Sequence, residues 1–427
     1  MSVSPLIALF PEASFGAALN CVGIAQKLRQ MGATPVFICH PGFTGVFAEY
    51  GFKEYHLAPT AKRSTDAIED YWQGFITTHL PHFDLDPMAQ LPTYVAPTWQ
   101  AIVNTVVAAE DGLAALFDRI RPDAILLDNV IMFPAVANAG CPWVRVVSCA
   151  ETEIPDPDVP PYLSGLPADD RIGRERFEKA YLRETRAAHR RYNAFRKTHG
   201  LAQLPAGHFL ESSPVLNLLL APSATRFPRR NPLPEDRFVY LEGCVREETR
   251  FDAPHMPVDH ARLVYMSFGS LGSIDTDLIG RMIDVFATLP ARFLVNVGGF
   301  LEAYSRVPDN VYLGSWFPQP SVVAESDLFI HHGGNNSFCE ALYHGVPSLV
   351  MPYCWDGHDN AQRMDELDLG RHLHRSRWSP DALRSTLVTL LEDTAMRDRL
   401  AAVSRGMKAE PGTERAARAV MDALGHR

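Results

Sequence analysis

Apolar and polar positions along the chain change period in a regular order, and that order predicts the architecture. Pro5 to Phe10 (PLIALF) reads as a short buried strand, and the segment after it sets Ala18, Val22, Ala25 and Leu28 on one helical face. Gly32 ends this helix, and Thr34 to Cys39 forms the next apolar run. Strand, helix and strand in so short a span open a parallel α/β sheet. The alternation resumes with a helix at 102–120, a strand at Asp123–Asp128, a helix near 133–139, and strands at Trp143–Ser148 and Val215–Leu220. It starts afresh at Leu263–Phe268 and runs through Arg292–Val297, Val311–Trp316, Leu328–His332 and Ser348–Met351. Two doubly wound α/β units in series are therefore expected, with ligands beyond the carboxyl ends of the strands and a cleft between facing sheets.

Three stretches break the pattern. Residues 61–100 are irregular, with Trp72, His79, His82 and several prolines. The Pro-rich run Ile154–Pro167 precedes a long Arg-rich helix at Ile172–His199, read as a solvated face rather than a membrane-surface helix. From Pro222 to Pro257 prolines and charges recur without periodicity, and the interdomain linker is placed there. The division expected is 1–240 for the first α/β unit, 241–262 for the linker, and 263–410 for the second unit.

Composition narrows the partners. At 427 residues the chain holds two ordinary domains, and 46 % hydrophobic with 21 % charged residues is an ordinary globular balance. A net charge of -10 and the lack of a Lys/Arg stripe argue against a nucleic-acid surface, leaving a small ligand as the expected partner. The 7 cysteines are scattered without metal or disulfide spacing and read as buried thiols of a reducing compartment. The opening apolar run is too short for a signal segment and nothing is long and apolar enough to span a bilayer, so a cytoplasmic protein without a transmembrane segment is expected. Oligomeric state leaves no mark in the sequence.

Chemistry concentrates in one stretch: Trp316-Phe-Pro-Gln319, His331-His-Gly-Gly-Asn-Asn-Ser337, Glu340, Gly345-Val-Pro347 and Asp356-Gly-His-Asp-Asn360. A strand that ends in His-His-Gly-Gly and opens into Asn-Asn-Ser at a helix start is an anion site. Glycines admit a phosphate to the backbone, the helix N-terminus offers free N–H groups, and Asn336, Ser337 and an imidazole add donors. Glu340, one turn in, is placed to accept from ribose hydroxyls, and Trp316 to stack on a base.

This stretch resembles the donor signature of nucleotide-sugar glycosyltransferase family one, in its bacterial macrolide-glycosyltransferase-like branch. The resemblance implies a GT-B fold, two Rossmann-like domains facing a cleft, and inverting transfer from a UDP- or dTDP-sugar to a small-molecule acceptor such as a natural product. It implies that Trp316 and Gln319 meet the base and ribose, Glu340 the ribose hydroxyls, and His332, Gly334, Asn336 and Ser337 the diphosphate. Ser267-Phe-Gly-Ser270 is similar to the family's turn, in which Ser270 would touch the diphosphate. No cofactor and no metal are implied, because helix N–H groups meet the departing charge. The last helix, Glu414–Leu424 within 411–427, resembles the tail that returns to the first domain. The likeness is clear over Leu263–Met364, fair over Pro5–Gly32 and Asp123–Ser148, and weak in the irregular regions at 61–100 and after Ser148.

The sequence departs from the family at three places. The family's general-base histidine aligns with Ala17, while its partner carboxylate aligns with Asp128; Glu12 is the ionisable group nearest Ala17, as a base or as a solvated loop residue. Where an acidic residue is usually followed by Gln, Asp356 precedes Gly357, so Asp356 keeps its sugar contact while an amide contact is lost, with His358 as a substitute. Asn335 sits at a variable position and carries little information. His331 reads as structural, and His79 with His82 either lines an acceptor pocket or binds nothing. Rival functions are a nucleotide-sugar binding protein without transfer and a nucleotide-sugar epimerase.

Overall fold

The computed structural model describes residues 4–57, 74, 77–259 and 262–425. Trp72 lies outside them. Every strand is parallel to its neighbours, in two sheets. The first comprises β1 (Leu6–Pro11), β2 (Thr34–Cys39), β3 (Lys53–His56), β4 (Ala124–Asp128), β5 (Trp143–Val147), β6 (Leu216–Leu220) and β7 (Phe238–Leu241), in the order β3-β2-β1-β4-β5-β6-β7. The second comprises β8 (Leu263–Ser267), β9 (Arg292–Asn296), β10 (Val311–Gly314), β11 (Leu328–His331), β12 (Ser348–Val350) and β13 (Gly370–His372), in the order β10-β9-β8-β11-β12-β13.

The central strands β1, β4, β8 and β11 are almost wholly buried, which is why they read as unbroken apolar runs. The strands that periodicity does not foresee, β3, β7 and β13, are all short, incompletely buried sheet edges of three or four residues. β7 falls inside the stretch read as aperiodic. A half-covered edge strand needs no alternation strong enough to be seen.

Helix α1 (Phe15–Gln30) follows β1, and α2 (Ala96–Ile120) begins earlier than expected, directly after a π-helical turn at Leu91–Val95. The described part of the stretch read as irregular is thus mostly helical turns, Leu80–Asp84, Pro87–Gln90 and Leu91–Val95, with prolines near the start of each. α3 (Arg171–Thr198) is the long Arg-rich helix, and α4 (Asn335–His344) and α5 (Gly357–Glu366) follow β11 and β12. The last helix, α6 (Gly412–Gly425), buries Ala416, Ala417 and Val420 in one cluster with Val22, Ala25 and Leu28 of α1. The chain therefore ends packed against its first sheet. No helix among the described residues is long and apolar enough to cross a membrane.

Candidate active site

The turn from His331 to Ser337, expected to meet the donor, is built by close backbone approach. β11 ends at His331, Gly333 takes φ +90°, and α4 begins at Asn335 with Gly334 as its N-cap. A Cβ on Gly333 would sit 2.6 Å from the Gly357 carbonyl oxygen, and one on Gly334 would sit 2.6 Å from His332 Nε2. Only glycine fits at Gly333, and a side chain at Gly334 would push the His332 ring from its place. The His332 ring stacks on Tyr353 at 5.0 Å between centroids. Burial pushes its pKa down to about 4, with the nearby Ser267 carbonyl opposing, so the imidazole is neutral at pH 7. His331 turns the other way: it is fully buried, and its Nδ1 accepts from the Gly333 N–H at 3.1 Å. That is the structural role the sequence assigns it.

Asn336 and Ser337 lie in the first turn of α4, where backbone N–H groups have no partner within the helix. The Ser337 hydroxyl accepts from Gln319 Nε2 at 3.1 Å, and the same Nε2 donates to Glu340 Oε2 at 2.6 Å. Trp316, beyond the end of β10 and three residues before Gln319, is 56 % exposed. Glu340 is 0 % exposed. Its carboxylate lies beneath Gln319 and accepts from Arg246 Nη1 at 3.1 Å, a partner no sequence motif reveals. The backbone of Ser270 falls in the short helical turn Gly269–Gly272, but its side chain is outside what the structure describes.

Across from this turn stands Asp128, buried at the end of β4. Its Oδ1 accepts from the Ser148 hydroxyl at 2.6 Å and its Oδ2 from the Cys21 thiol at 3.6 Å. Burial raises its pKa to about 7, against the opposing pull of Ser148, Cys21 and Arg145. Glu12 follows β1; its N–H donates to the Asp128 carbonyl at 2.6 Å, and burial together with the Asp128 charge lifts its carboxyl to about 7. Ala17 is buried in the first turn of α1, its N–H capped by Ser14 Oγ at 3.4 Å. Cys21, one turn further along α1, makes the contact with Asp128.

Three side chains of the second half seal the approach to the first. Asn335 Nδ2 donates to the carbonyls of Ser148, Cys149 and Leu220 at 3.0, 3.2 and 2.9 Å. The position read as uninformative is therefore a principal tie between the sheets. Asp356 Oδ2 accepts from the Ala150 N–H at 3.2 Å. Asp359 accepts from Thr152 Oγ1, Leu163 N–H and Gly165 N–H at 2.7, 2.8 and 2.8 Å. The Pro-rich stretch thus closes over α5. Asp356 is raised to about 7 by burial and by Asp359, and buried Glu153, which motif reading misses, to about 8 with Oε1 unpartnered.

The Asp356-Gly357 departure has a steric cause. A Cβ on Gly357 would lie 2.5 Å from the His332 carbonyl oxygen, so a glutamine does not fit without moving the donor turn. His358 faces away toward Gln90 Oε1, 3.0 Å from its Nε2, and helps line a cavity of about 170 Å³ with Phe83, Asp86, His372 and His374. His79 and His82 pair through their Nδ1 atoms at 3.0 Å, with Tyr94 edge-on to His79. Among the described residues one group has metal-ligand proximity, Cys39, Glu54 and His56 at the edge of the first sheet. There the Glu54 carboxylate also accepts from the N–H groups of Gly45, Phe47 and Ala48, which explains its place as a loop anchor.

The geometry has counterparts among known proteins. Residues 281–422 match the family model described as erythromycin biosynthesis protein CIII-like, C-terminal domain. The oleandomycin glycosyltransferase of Streptomyces antibioticus is 26 % identical over 415 residues, 96 % of this chain and 89 % of that protein. The chain is thus similar to the macrolide-glycosyltransferase-like branch of glycosyltransferase family one, in its C-terminal part by the family model and along most of its length by the oleandomycin enzyme. Among solved structures, the kitacinnamycin glycotransferase superposes with a TM-score of 0.72 at 22 % identity, covering 99 % of this chain and 100 % of that one. The glycosyltransferase VinC, solved in complex with dTDP, gives a TM-score of 0.68 at 16 % identity, covering 99 % and 100 %. This glycosyltransferase therefore has the GT-B fold, its two parallel sheets being the two Rossmann-like halves.

Proposed function

We propose that this glycosyltransferase moves a sugar from a UDP- or dTDP-sugar to a small-molecule acceptor, a natural product, with inversion at the anomeric carbon. One observation carries the reading. Ser148 hydrogen-bonds Asp128 through its hydroxyl and Asn335 through its carbonyl, so the one buried carboxylate aligned with the family's dyad and the start of the anion-binding helix share a single residue. In this reading the diphosphate rests on the first turn of α4, on His332, Asn336 and Ser337, with Ser270 from the facing turn. Trp316 and Gln319 take the base and ribose, and Asp356 the sugar. The helix N–H groups and neutral donors meet the leaving charge without a metal or a cofactor. Asp128, poised near neutrality, deprotonates the acceptor hydroxyl, with Glu12 as the alternative base.

The test is direct. UDP- and dTDP-sugars are incubated with a panel of phenol, alcohol and amine acceptors; mass spectrometry reads glycoside formation and NMR reads the anomeric configuration. A β-glycoside from an α-linked donor supports the proposal, and a retained configuration counts against it. Ala17, in place of the usual imidazole, favours a second reading: a nucleotide-sugar binding protein without transfer. Tight donor binding with no turnover on any acceptor would favour that one.

A further inference from the structure

The buried carboxylate of the donor motif is not held by the donor motif alone. Arg246, in the connection between β7 and β8, sends its guanidinium into the second half, where Nη1 meets Glu340 Oε1 at 3.1 Å. Its Nε meets Glu248 Oε1 at 2.5 Å and the Tyr50 hydroxyl at 3.3 Å, and that hydroxyl donates to Glu248 at 2.6 Å. Tyr50 lies between β2 and β3, on the first half of the molecule. Arg246, Glu248 and Glu340 are each nearly closed to solvent at the side chain. The backbone at Arg246 is fixed as well, because Gln26 of α1 pairs with both the N–H and the carbonyl of neighbouring Glu247, at 2.8 and 3.0 Å.

Planar guanidinium explains the choice of residue. One fork reaches two carboxylates in different directions, which an ammonium on a flexible stem does not reproduce. A carboxylate with no exposure and no cation nearby would take up a proton and lose acceptor capacity. It would then no longer hold the Gln319 amide as it does now, through the 2.6 Å bond from Nε2. Paired with Arg246, each Glu340 oxygen accepts one bond and retains a second lone pair.

We propose that Arg246 is a positioning residue for the donor: it anchors buried Glu340 beneath Gln319, so that Gln319 is held in place to meet the ribose hydroxyls, and it ties the arrangement to Tyr50 of the first half. The inference rests on the reading of Gln319 and Glu340 as the ribose site.

Calorimetry with two ligands tests it: whichever of UDP and dTDP binds the wild-type protein more tightly, and the 2′,3′-dideoxy form of that nucleotide. The ratio of the two affinities isolates the hydroxyl contribution. Arg246→Met, Glu340→Gln and the double variant complete a cycle, with circular dichroism reporting folding. Arg246→Met is expected to reduce the ratio at least tenfold, with the dideoxy nucleotide bound as in wild type. The double variant is expected to lose no more of the ratio than Glu340→Gln alone. If Arg246→Met does not fold, Arg246→Lys takes its place and is expected to reduce the ratio at least threefold, since it cannot form both forks. A wild-type ratio in the folded variant, equal losses for both ligands, or losses that add in the double variant would overturn the inference. A wild-type protein that binds neither nucleotide would overturn the ribose-site reading beneath it.

Discussion

The Asp128 carboxylate and the Ser148 hydroxyl meet at 2.6 Å at the carboxyl ends of two adjacent strands, β4 and β5. If Asp128 is the base, Asp128→Asn keeps the size and removes only the basicity. Turnover should fall at least tenfold, about 1.4 kcal/mol of transition-state stabilisation, while the dissociation constant for the nucleoside diphosphate stays put. Steady-state kinetics paired with calorimetry reads both. Full turnover in this variant and in Glu12→Gln across a pH series would show that no protein carboxylate acts, and that the acceptor brings an ionised or amine nucleophile.

Ser148→Ala refines the same assignment. The hydroxyl donates to the ionised form of Asp128 and so pulls its pKa down from where burial alone would hold it, leaving it at about 7. Without that donor the pKa rises and the basic form is populated only at higher pH. The acid limb of the kcat profile should therefore move upward in pH, with the alkaline plateau nearly retained. An unmoved or lowered limb would detach Asp128 from it.

How far the sequence could be read follows from what each feature depends on. The core strands declare themselves because both faces are buried, as with Ala124–Asp128, whereas the edges Lys53–His56 and Phe238–Leu241 do not. The turn from His331 to Ser337 is legible because its glycines and the helix start that follows them are contiguous in the chain. The partners of Asp128 and Glu340 are not. Cys21, Ser148 and Arg246 come from 107, 20 and 94 residues away and carry no motif of their own. Asn335, at a position read as carrying little information, bonds to backbone carbonyls, which any sequence supplies. Gly357 looked like a lost contact, and only the approach of the His332 carbonyl shows that a side chain is excluded there.

The crowd of buried carboxylates makes stability depend on pH in an unusual sense. Glu12, Asp128 and Asp356 are raised to about 7 and Glu153 to about 8, all above their unfolded values. Between those values the folded state binds more protons, so stability falls as pH rises. Buried His40, His332, His344 and His358 are lowered to about 4, and they work oppositely: their contribution is lost as pH falls below the unfolded value near 6.5. Above 6.5 the carboxylates set the trend, and the buried thiols of Cys21, Cys149 and Cys244, raised by burial, add to it in the same direction as pH approaches 9. The melting temperature should drop from pH 6.5 to 8.5, and Glu153→Gln should shrink the drop. A flat or rising melting temperature over that interval would contradict these assignments.

Restoring the family residue at position 357 should do harm. Gly357→Gln brings a Cβ to 2.5 Å from the His332 carbonyl, a backbone atom that cannot swing aside. The expected cost is that of overpacking, about 1–3 kcal/mol in urea unfolding. Donor affinity should fall with it, since the displaced segment is the anion turn itself. An unchanged midpoint and a tighter sugar contact would mean that α5 and the turn have room to part.

His332 offers the sharpest test of the anion turn. Its neutral ring packs where a Cβ on Gly269 or Gly334 would strike it, beside the start of α4, and one buried ring nitrogen, Nδ1, has no hydrogen-bond partner. If the ring donates to the diphosphate, His332→Ala should weaken nucleoside-diphosphate binding by about 1.5–3 kcal/mol, the range for a hydrogen bond to a charged group. Binding of the bare nucleoside should not change, because base and ribose are met elsewhere, at Trp316, Gln319 and Glu340. Removing a ring stacked on Tyr353 also leaves a void, so a general loss of affinity could reflect packing alone. His332→Gln separates the two causes, since it retains an N–H donor without the aromatic surface. If the hydrogen bond matters, the glutamine variant recovers diphosphate binding even where its thermal stability stays as low as the alanine variant's. Equal losses for nucleoside and nucleoside diphosphate in both variants would reduce His332 to a packing residue and shift the phosphate contact to Asn336, Ser337 and the helix N–H groups.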